Sequence, residues 1–311
     1  MALLLSLWLA FAIDRWWGEP PARWHPVVGM GRYLGWAGRL VAPREQTPPP
    51  PAARSFAAGA LAWSAGAVVV ASLACALQAG LQALPAWAAV LGLGIALKPL
   101  LAWRMLRDET AAVESALATS LAAGREQLAR LVSRDVARLD EAGVRESAVE
   151  SLAENLNDSV VAPVFWFALL GLPGAALYRF ANTADAMWGY PGVREGRVWD
   201  WAGKWAAHAD DLLSWLPARI SALLIALARR GFPWTALRAE AARTPSPNSG
   251  WPMAAMALAL DVRLGKPGAY VLNAGARPPA AAHARQAQVL ASRAVGWMLV
   301  LASAGLALGA A

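Results

Sequence analysis

Four carboxylates recur at steps of four in the stretch that leads into VESLAENLNDSVVAPVFW (149–166): Glu146, Glu150, Glu154 and Asp158. On a helix, that spacing places all four on one face, with Asn157 beside them. Val144, Ala148, Val149, Leu152 and Ala153 take the other side. A row of like charges repels itself, so something must offset it. One offset is water together with Arg134, Arg138 and Arg145, which makes a solvated amphipathic helix. The other is a divalent cation, Mg²⁺ by preference, whose ligands are oxygens of this kind.

Further polar blocks punctuate an apolar background. Asp14 precedes GEPPARWHP (18–26), and RFANTADAMWGY (179–190) sets Asn182 and Asp185 one helical turn apart. KWAAHADDLLSWLPAR (204–219) carries Lys204, His208, Asp210, Asp211 and Arg219, and SPNSGWPMAAMA (246–257) carries Asn248 and Gly250. Carboxylates, asparagines and arginines in several near-membrane segments have the make-up of a converging site for a polyanion and a metal. Each block also has a plainer account. Asn182 with Asp185 caps a helix, Asp211 with Arg219 forms a structural ion pair, and SPNSGWP is a turn before a helix at Trp251. His25, between Trp24 and Pro26, and His208 are either catalytic or structural. Adjacent aspartates point to different sides of a helix, so one of Asp210 and Asp211 faces a site. No phosphate-binding G-x-x-x-x-G-K-[ST] run and no dinucleotide glycine fingerprint occurs.

The elements that must position these residues belong to a membrane protein. Of 311 residues, 58% are hydrophobic and 16% charged, and the mean hydropathy is +0.38. That is too apolar for an ordinary soluble domain. Apolar segments cover about 1–13, 56–83, 86–106, 159–181, 212–228 and 294–311. The first is expected to be a retained membrane helix, because no positive region precedes it. The second and third, joined at Leu84-Pro85, read as a tight hairpin. Lys98 interrupts the third, either snorkelling from a span end or marking a site. Prolines 48–51 form a stiff connector. Pro163, Pro173 and two glycines break up 159–181, and Pro217 and Arg219 interrupt 212–228. These two segments are expected to be broken or re-entrant, which lets the polar loop 182–211 join a cytoplasmic site. Lys and Arg gather in 14–55, 107–158 and 229–293. The positive-inside rule assigns these stretches to the cytoplasm. A net charge of +7 suits that face and suits anionic substrates. No basic-aromatic stripe points to nucleic acid. The lone Cys75, in an apolar run, excludes an intramolecular disulfide and reads as packing. Most of the 17 tryptophans read as interface anchors. The expectation is one all-α domain over 1–311, a polytopic helical bundle with broken or re-entrant helices and amphipathic cytoplasmic helices.

SRDVARLDEAGVRESAVESLAENLNDSVVAP (133–163), ANTADAMWGY (181–190), ADDLLSWLPAR (209–219) and SPNSGWPMAAMA (246–257) together resemble the CobD/CbiB family of cobalamin biosynthesis, the membrane-bound adenosylcobinamide-phosphate synthases. The resemblance extends over essentially the whole chain. Ser159 stands where glycine is expected and Ser214 where asparagine is common. The resemblance implies an ATP-dependent ligase that joins the corrinoid adenosylcobyric acid to aminopropanol or its phosphate, in the cell membrane with its site facing the cytoplasm. Amide formation from a carboxylate needs activation, which ATP supplies as an acyl phosphate. On that reading Glu154, Asp158 and Asp185 hold Mg²⁺. Arg134, Arg179, Lys204 and Arg219 contact phosphate, with Asn155, Asn182 and Asn248 as further substrate contacts. Asp210, Asp211 or Glu150 serves as the catalytic carboxylate. Other cobalamin-biosynthesis proteins or a second copy of the chain are the expected protein partners. Two rivals remain, a membrane prenyltransferase and a transporter. The paired aspartate-rich motifs of the first and the duplicated halves of the second are both missing from the sequence.

Overall fold

The computed structural model describes every residue except Thr47, Pro49, Phe232, Pro233, Ala310 and Ala311. The expected stiff connector includes Pro49, and the expected last span includes 310 and 311, so these parts lie outside the described residues. The fold is all-α, with two short antiparallel hairpins, β1–β2 (Val193–Arg194, Arg197–Val198) and β3–β4 (Leu264–Lys266, Tyr270–Leu272). Among the described residues, five helical stretches are long and apolar enough to cross a membrane, two of which, Ala86–Leu117 and Glu141–Gly189, include breaks. Chain contacts divide the protein into two compact units. One comprises Met1–Leu101, Ala162–Ser214 and Gly305–Ala311, the other Ala102–Val161 and Trp215–Ala304.

In the first unit, α1 (Ala2–Trp17) packs along α4 (Ala86–Leu97), and α3 (Ala52–Gln82) packs along α8 (Ala162–Ala184). At 16 residues α1 is shorter than a bilayer crossing needs, although it extends beyond the expected 1–13. Small residues allow the close approaches. A Cβ on Gly59 of α3 would fall 1.9 Å from the Ala202 carbonyl oxygen, and one on Gly66 would meet the rings of Tyr33 and Phe180. In the basic stretch 14–55, where no helix was expected, the chain forms α2 (Pro26–Val41). Pro26 opens this helix at a position where its missing N–H costs nothing.

The expected span 86–106 is two helices. The chain leaves α4 through a 3₁₀ turn at Lys98–Leu100, becomes extended at Leu101, and re-enters helix as α5 (Trp103–Leu117). Pro99, which has no N–H to continue the ladder, sits inside this break. The segment 159–181 is broken as expected, at Gly171 of α8, whose φ of 69° favours glycine. The Leu172 N–H freed there donates to Gln78 Oε1 of α3 at 2.7 Å, so a side chain replaces the lost helical acceptor. The segment 212–228 is not broken: it lies within α9 (Lys204–Arg229), which runs through Pro217. The loop 182–211 is shorter than expected, because α8 extends to Ala184, a π-turn covers Asp185–Gly189 and α9 begins at Lys204. Cys75 is exposed on α3, which corrects its reading as a packed core residue.

In the second unit, α5, α6 (Leu121–Leu128) and α7 (Glu141–Leu156) pack around Val113, Leu117, Leu128, Leu139, Val144 and Ala148. Asp140 caps α7 by accepting the Gly143 N–H at 2.7 Å, the side-chain cap favoured at a helix start. Buried α11 (Gly250–Leu260) packs on α7 and on α10 (Trp234–Ala241). The last helix, α12 (Ala281–Leu308), begins well before the expected 294.

Candidate functional site

The carboxylate row on α7 is buried, which corrects the expectation of a solvated face. Glu146 is 6% exposed and Glu150 1%. A charge so placed needs a partner, and each has one. Arg134 donates through both terminal nitrogens to Glu150 Oε2 at 3.2 Å, and also to the Ser147 hydroxyl. Arg263 donates to Glu146 Oε1 at 2.9 and 3.2 Å. Arg145 turns away from the row to Glu114 and Glu141, and Arg138 is exposed. Only Arg134, of the three arginines expected to offset the row, does so directly.

Glu154 is half-buried, with Glu150 and Asp158 as charged neighbours and with Arg134 and Lys266 opposing them. A π-turn at Asn157–Val161 follows α7, so the four-residue step is lost after Glu154. Asn157 donates to Asp158 Oδ1 at 2.8 Å and accepts from the Ser221 hydroxyl at 3.0 Å, which fixes Asp158 from the side. Tyr270, on β4, stands against the row. Burial pushes its hydroxyl well above the usual phenol range, and the charges of Glu150 and Glu154 push the same way. Tyr270 therefore remains a hydrogen-bond donor towards Glu150, with Met253 sulphur 3.6 Å from its oxygen.

Asn155 turns its amide elsewhere. It donates to the Ser151 carbonyl and hydroxyl and lines a separate cavity of about 310 Å³ with Glu109, Arg130 and Ser159. Arg219 lies between the rings of Trp215 and Trp251, 4.4 and 4.8 Å from their centroids, and donates to Asn248 Oδ1 at 2.9 Å. The ADDLLSWLPAR and SPNSGWP blocks thus meet at one guanidinium. Gly250 is fixed by its own surroundings: a Cβ there would come 2.3 Å from both the Ala241 carbonyl and the Thr244 hydroxyl.

The first unit holds a different polar centre. Lys98 is 3% exposed and lies 3.2 Å from Asp14 and 2.7 Å from Glu19, while His25 Nε2 is 3.1 Å from the other Glu19 oxygen. The break in 86–106 buries the lysine, so it does not snorkel. Burial would raise the Glu19 pKa, but the hydrogen bonds from His25 and Lys98 outweigh it and hold the carboxyl below its ordinary value. The remaining expected residues of this unit are spread along α8 and α9. Arg179 donates to Asn182 at 3.3 Å. The Asp185 carboxylate is pressed against the Gly189 backbone, where a Cβ would fall 1.9 Å from Oδ1. Lys204 sits over the Trp201 ring at 4.4 Å, Asp210 and Asp211 are half-buried, and His208 is exposed. Tyr178 and Ser214 share a buried hydrogen bond at 3.1 Å, so serine in place of the common asparagine keeps a polar partner.

Three of these roles had no local signal in the sequence. Arg263, Tyr270 and Lys266 reach α7 from a hairpin more than a hundred positions away. Among the described residues no three or more His, Cys, Asp or Glu side chains gather as metal ligands. Glu154 and Asp158 belong to the second unit and Asp185 to the first.

These features define a helical membrane protein that buries ion-paired carboxylates beside arginines. A family model described as CobD/Cbib protein matches residues 7–298, and this chain belongs to that family. It is 41% identical over 281 residues to "Cobalamin biosynthesis protein CobD" of Chromobacterium violaceum, covering 88% of this chain and 85% of that one. To the protein of the same name in Stutzerimonas stutzeri it is 39% identical over 320 residues, covering 98% and 99%. To "Probable cobalamin biosynthesis protein CobD" of Methanothermobacter thermautotrophicus it is 38% identical, covering 88% of each chain. No solved structure matches. Family membership supports a role in cobalamin biosynthesis.

Proposed function

We propose that this protein forms the amide bond between the free propionate of adenosylcobyric acid and (R)-1-amino-2-propanol or its O-phosphate, driven by ATP, as an adenosylcobinamide-phosphate synthase of the inner cell membrane with its site facing the cytoplasm. The observation that carries the reading is the α7 cluster: buried Glu146 and Glu150 held by Arg263 and Arg134, with half-buried Glu154 beside Asp158. Such charges suit a polyanionic, metal-bound substrate.

The chemistry has two steps. A propionate oxygen attacks the γ-phosphorus and ADP leaves, giving an acyl phosphate; the amine nitrogen then attacks the acyl carbon and phosphate leaves. Mg²⁺ fits the donor set present, because it is commonly held by one or two carboxylates together with substrate phosphates. Glu154 and Asp158, both of the second unit, would hold it. When bound, it neutralises charge developing on the transferred phosphoryl group. Arg134, Arg179, Lys204 and Arg219 offer cations to phosphate oxygens. Arg219, stacked between two indoles, keeps a fixed fork for bidentate contact. Asp210 or Asp211 takes the proton that the ammonium must lose before attack. Glu150, tied to Arg134 and facing the Tyr270 hydroxyl, holds Arg134 in place.

Detergent-purified protein incubated with adenosylcobyric acid, Mg-ATP and (R)-1-amino-2-propanol phosphate is expected to give adenosylcobinamide phosphate by mass spectrometry. Glu154→Gln, while eluting as folded protein, is expected not to. Corrinoid-independent prenyl transfer, or substrate flux in liposomes without product, would overturn the assignment.

A further inference from the structure

The last turn of α9 and the first half of α12 enclose a groove of about 640 Å³ in the second unit, lined by Arg229, Arg285 and Arg293. Arg285 and Arg293 stand two helical turns apart on one face of α12, with half-exposed Val289 between them. One turn beyond Arg293 on the same face comes Trp297, 46% exposed. From Ala294 onward α12 carries no charged residue, so the face passes from arginine to indole to apolar side chains. That order is the one found where a helix enters a bilayer. Arg229 ends the apolar run of α9 and donates through Nε to the Ala259 carbonyl, which anchors its guanidinium at the groove wall. Among the described residues no carboxylate pairs with any of the three arginines. The rest of the wall is largely apolar, with Ala259, Leu260 and Leu290.

Three exposed guanidinium groups around one groove give it a positive field that favours an anion. The mixed lining adds that the anion carries an apolar body. We infer that this groove binds the phosphate headgroup of an anionic bilayer phospholipid, with the arginines on the phosphodiester and the glycerol ends of its chains against Leu260, Val289 and Leu290. Basic pockets between membrane helices bind acidic headgroups in this way, and arginine's fork matches phosphate oxygens. The site is separate from the α7 cluster and independent of the reaction assigned above.

Native mass spectrometry of the full-length protein, released from micelles containing equal phosphatidylglycerol and phosphatidylcholine, tests the inference. The parent is expected to retain phosphatidylglycerol preferentially. Arg285→Gln and Arg293→Gln are each expected to weaken that preference about fivefold. The double Lys variant is expected to keep most of it. Both arginines are exposed, and monodisperse elution together with an unchanged unfolding temperature verifies folding. Equal retention of the two lipids by the parent, or an undiminished preference in a folded Gln variant, overturns the inference. So does displacement of bound phosphatidylglycerol by millimolar inorganic phosphate, which would make the ligand a soluble phosphate.

Discussion

The Lys98 centre and the α7 centre bury similar numbers of charges in opposite ways. At Lys98 one cation serves two carboxylates, buried Asp14 and half-buried Glu19. On α7 each buried glutamate has its own arginine, and Glu154 and Asp158 are the more exposed carboxylates of the row. The first arrangement has the properties of a structural clamp, since its buried cation bridges both carboxylates. In the second, the inner pairs fix the helix that carries the more exposed carboxylates. Buried charge alone does not mark a site; the distribution of partners does.

Removing the cation from the clamp should break the comparison hardest. Lys98→Met leaves Asp14 and Glu19 buried without their shared partner, and a loss of about 3–5 kcal/mol is expected from thermal unfolding in detergent. If Asp14→Asn restores most of that loss, the clamp is structural; a variant as stable as the parent would mean that the charges are solvated. Glu154→Gln is the converse case. Its unfolding should shift little, while amide formation falls by about 10²–10³-fold, the usual cost of losing one electrostatic stabiliser. A fall in stability matching the fall in rate would move Glu154 into the clamp's category. Gly59→Val tests whether the first unit is as rigid as the clamp implies. The added side chain meets the Ala202 carbonyl. About 1–3 kcal/mol of destabilisation is expected from such overpacking. Less than that would reveal slack between α3 and the segment leading to α9.

The smallest expected effect is on pH. The Glu19 carboxyl is held below its ordinary value, so its stabilising contribution is present above the unfolded-state pKa and is lost as pH falls through the folded-state value. Unfolding temperatures followed from neutral to acid should therefore drop, and Glu19→Gln should flatten part of that drop. The α7 pairs have no share in this test if Glu19→Gln alone accounts for the change.

The apolar segments were legible because membrane helices need runs of one composition. The break in 159–181 was also legible from its glycines, but the one in 86–106 was not. Lys98-Pro99 gave a visible interruption, but the choice between a charged span end and a buried turn depends on Asp14 and Glu19, far back in the chain. The amphipathic α2 was missed because its four glycines resemble loop chemistry. On α7 the spacing correctly placed Glu146, Glu150 and Glu154 on one face, yet exposure was misjudged, because Arg263 and Tyr270 arrive from a distant hairpin. The π-turn that displaces Asp158 has no signature in NLNDSVV. Asn248 and Arg219 come together by a tertiary contact that their separate blocks do not announce.

The Gln78 amide that answers the open backbone at Gly171 carries one more implication. In an exchange of segments between relatives, positions 78 and 171 behave as a single inherited unit. A chimaera that imports α8 with its glycine but receives an aliphatic residue at 78 would leave a naked peptide group inside the bilayer, while the reciprocal import strands a glutamine among lipid tails. Segment boundaries for recombining such proteins are therefore set by this pair as much as by the ends of the helices.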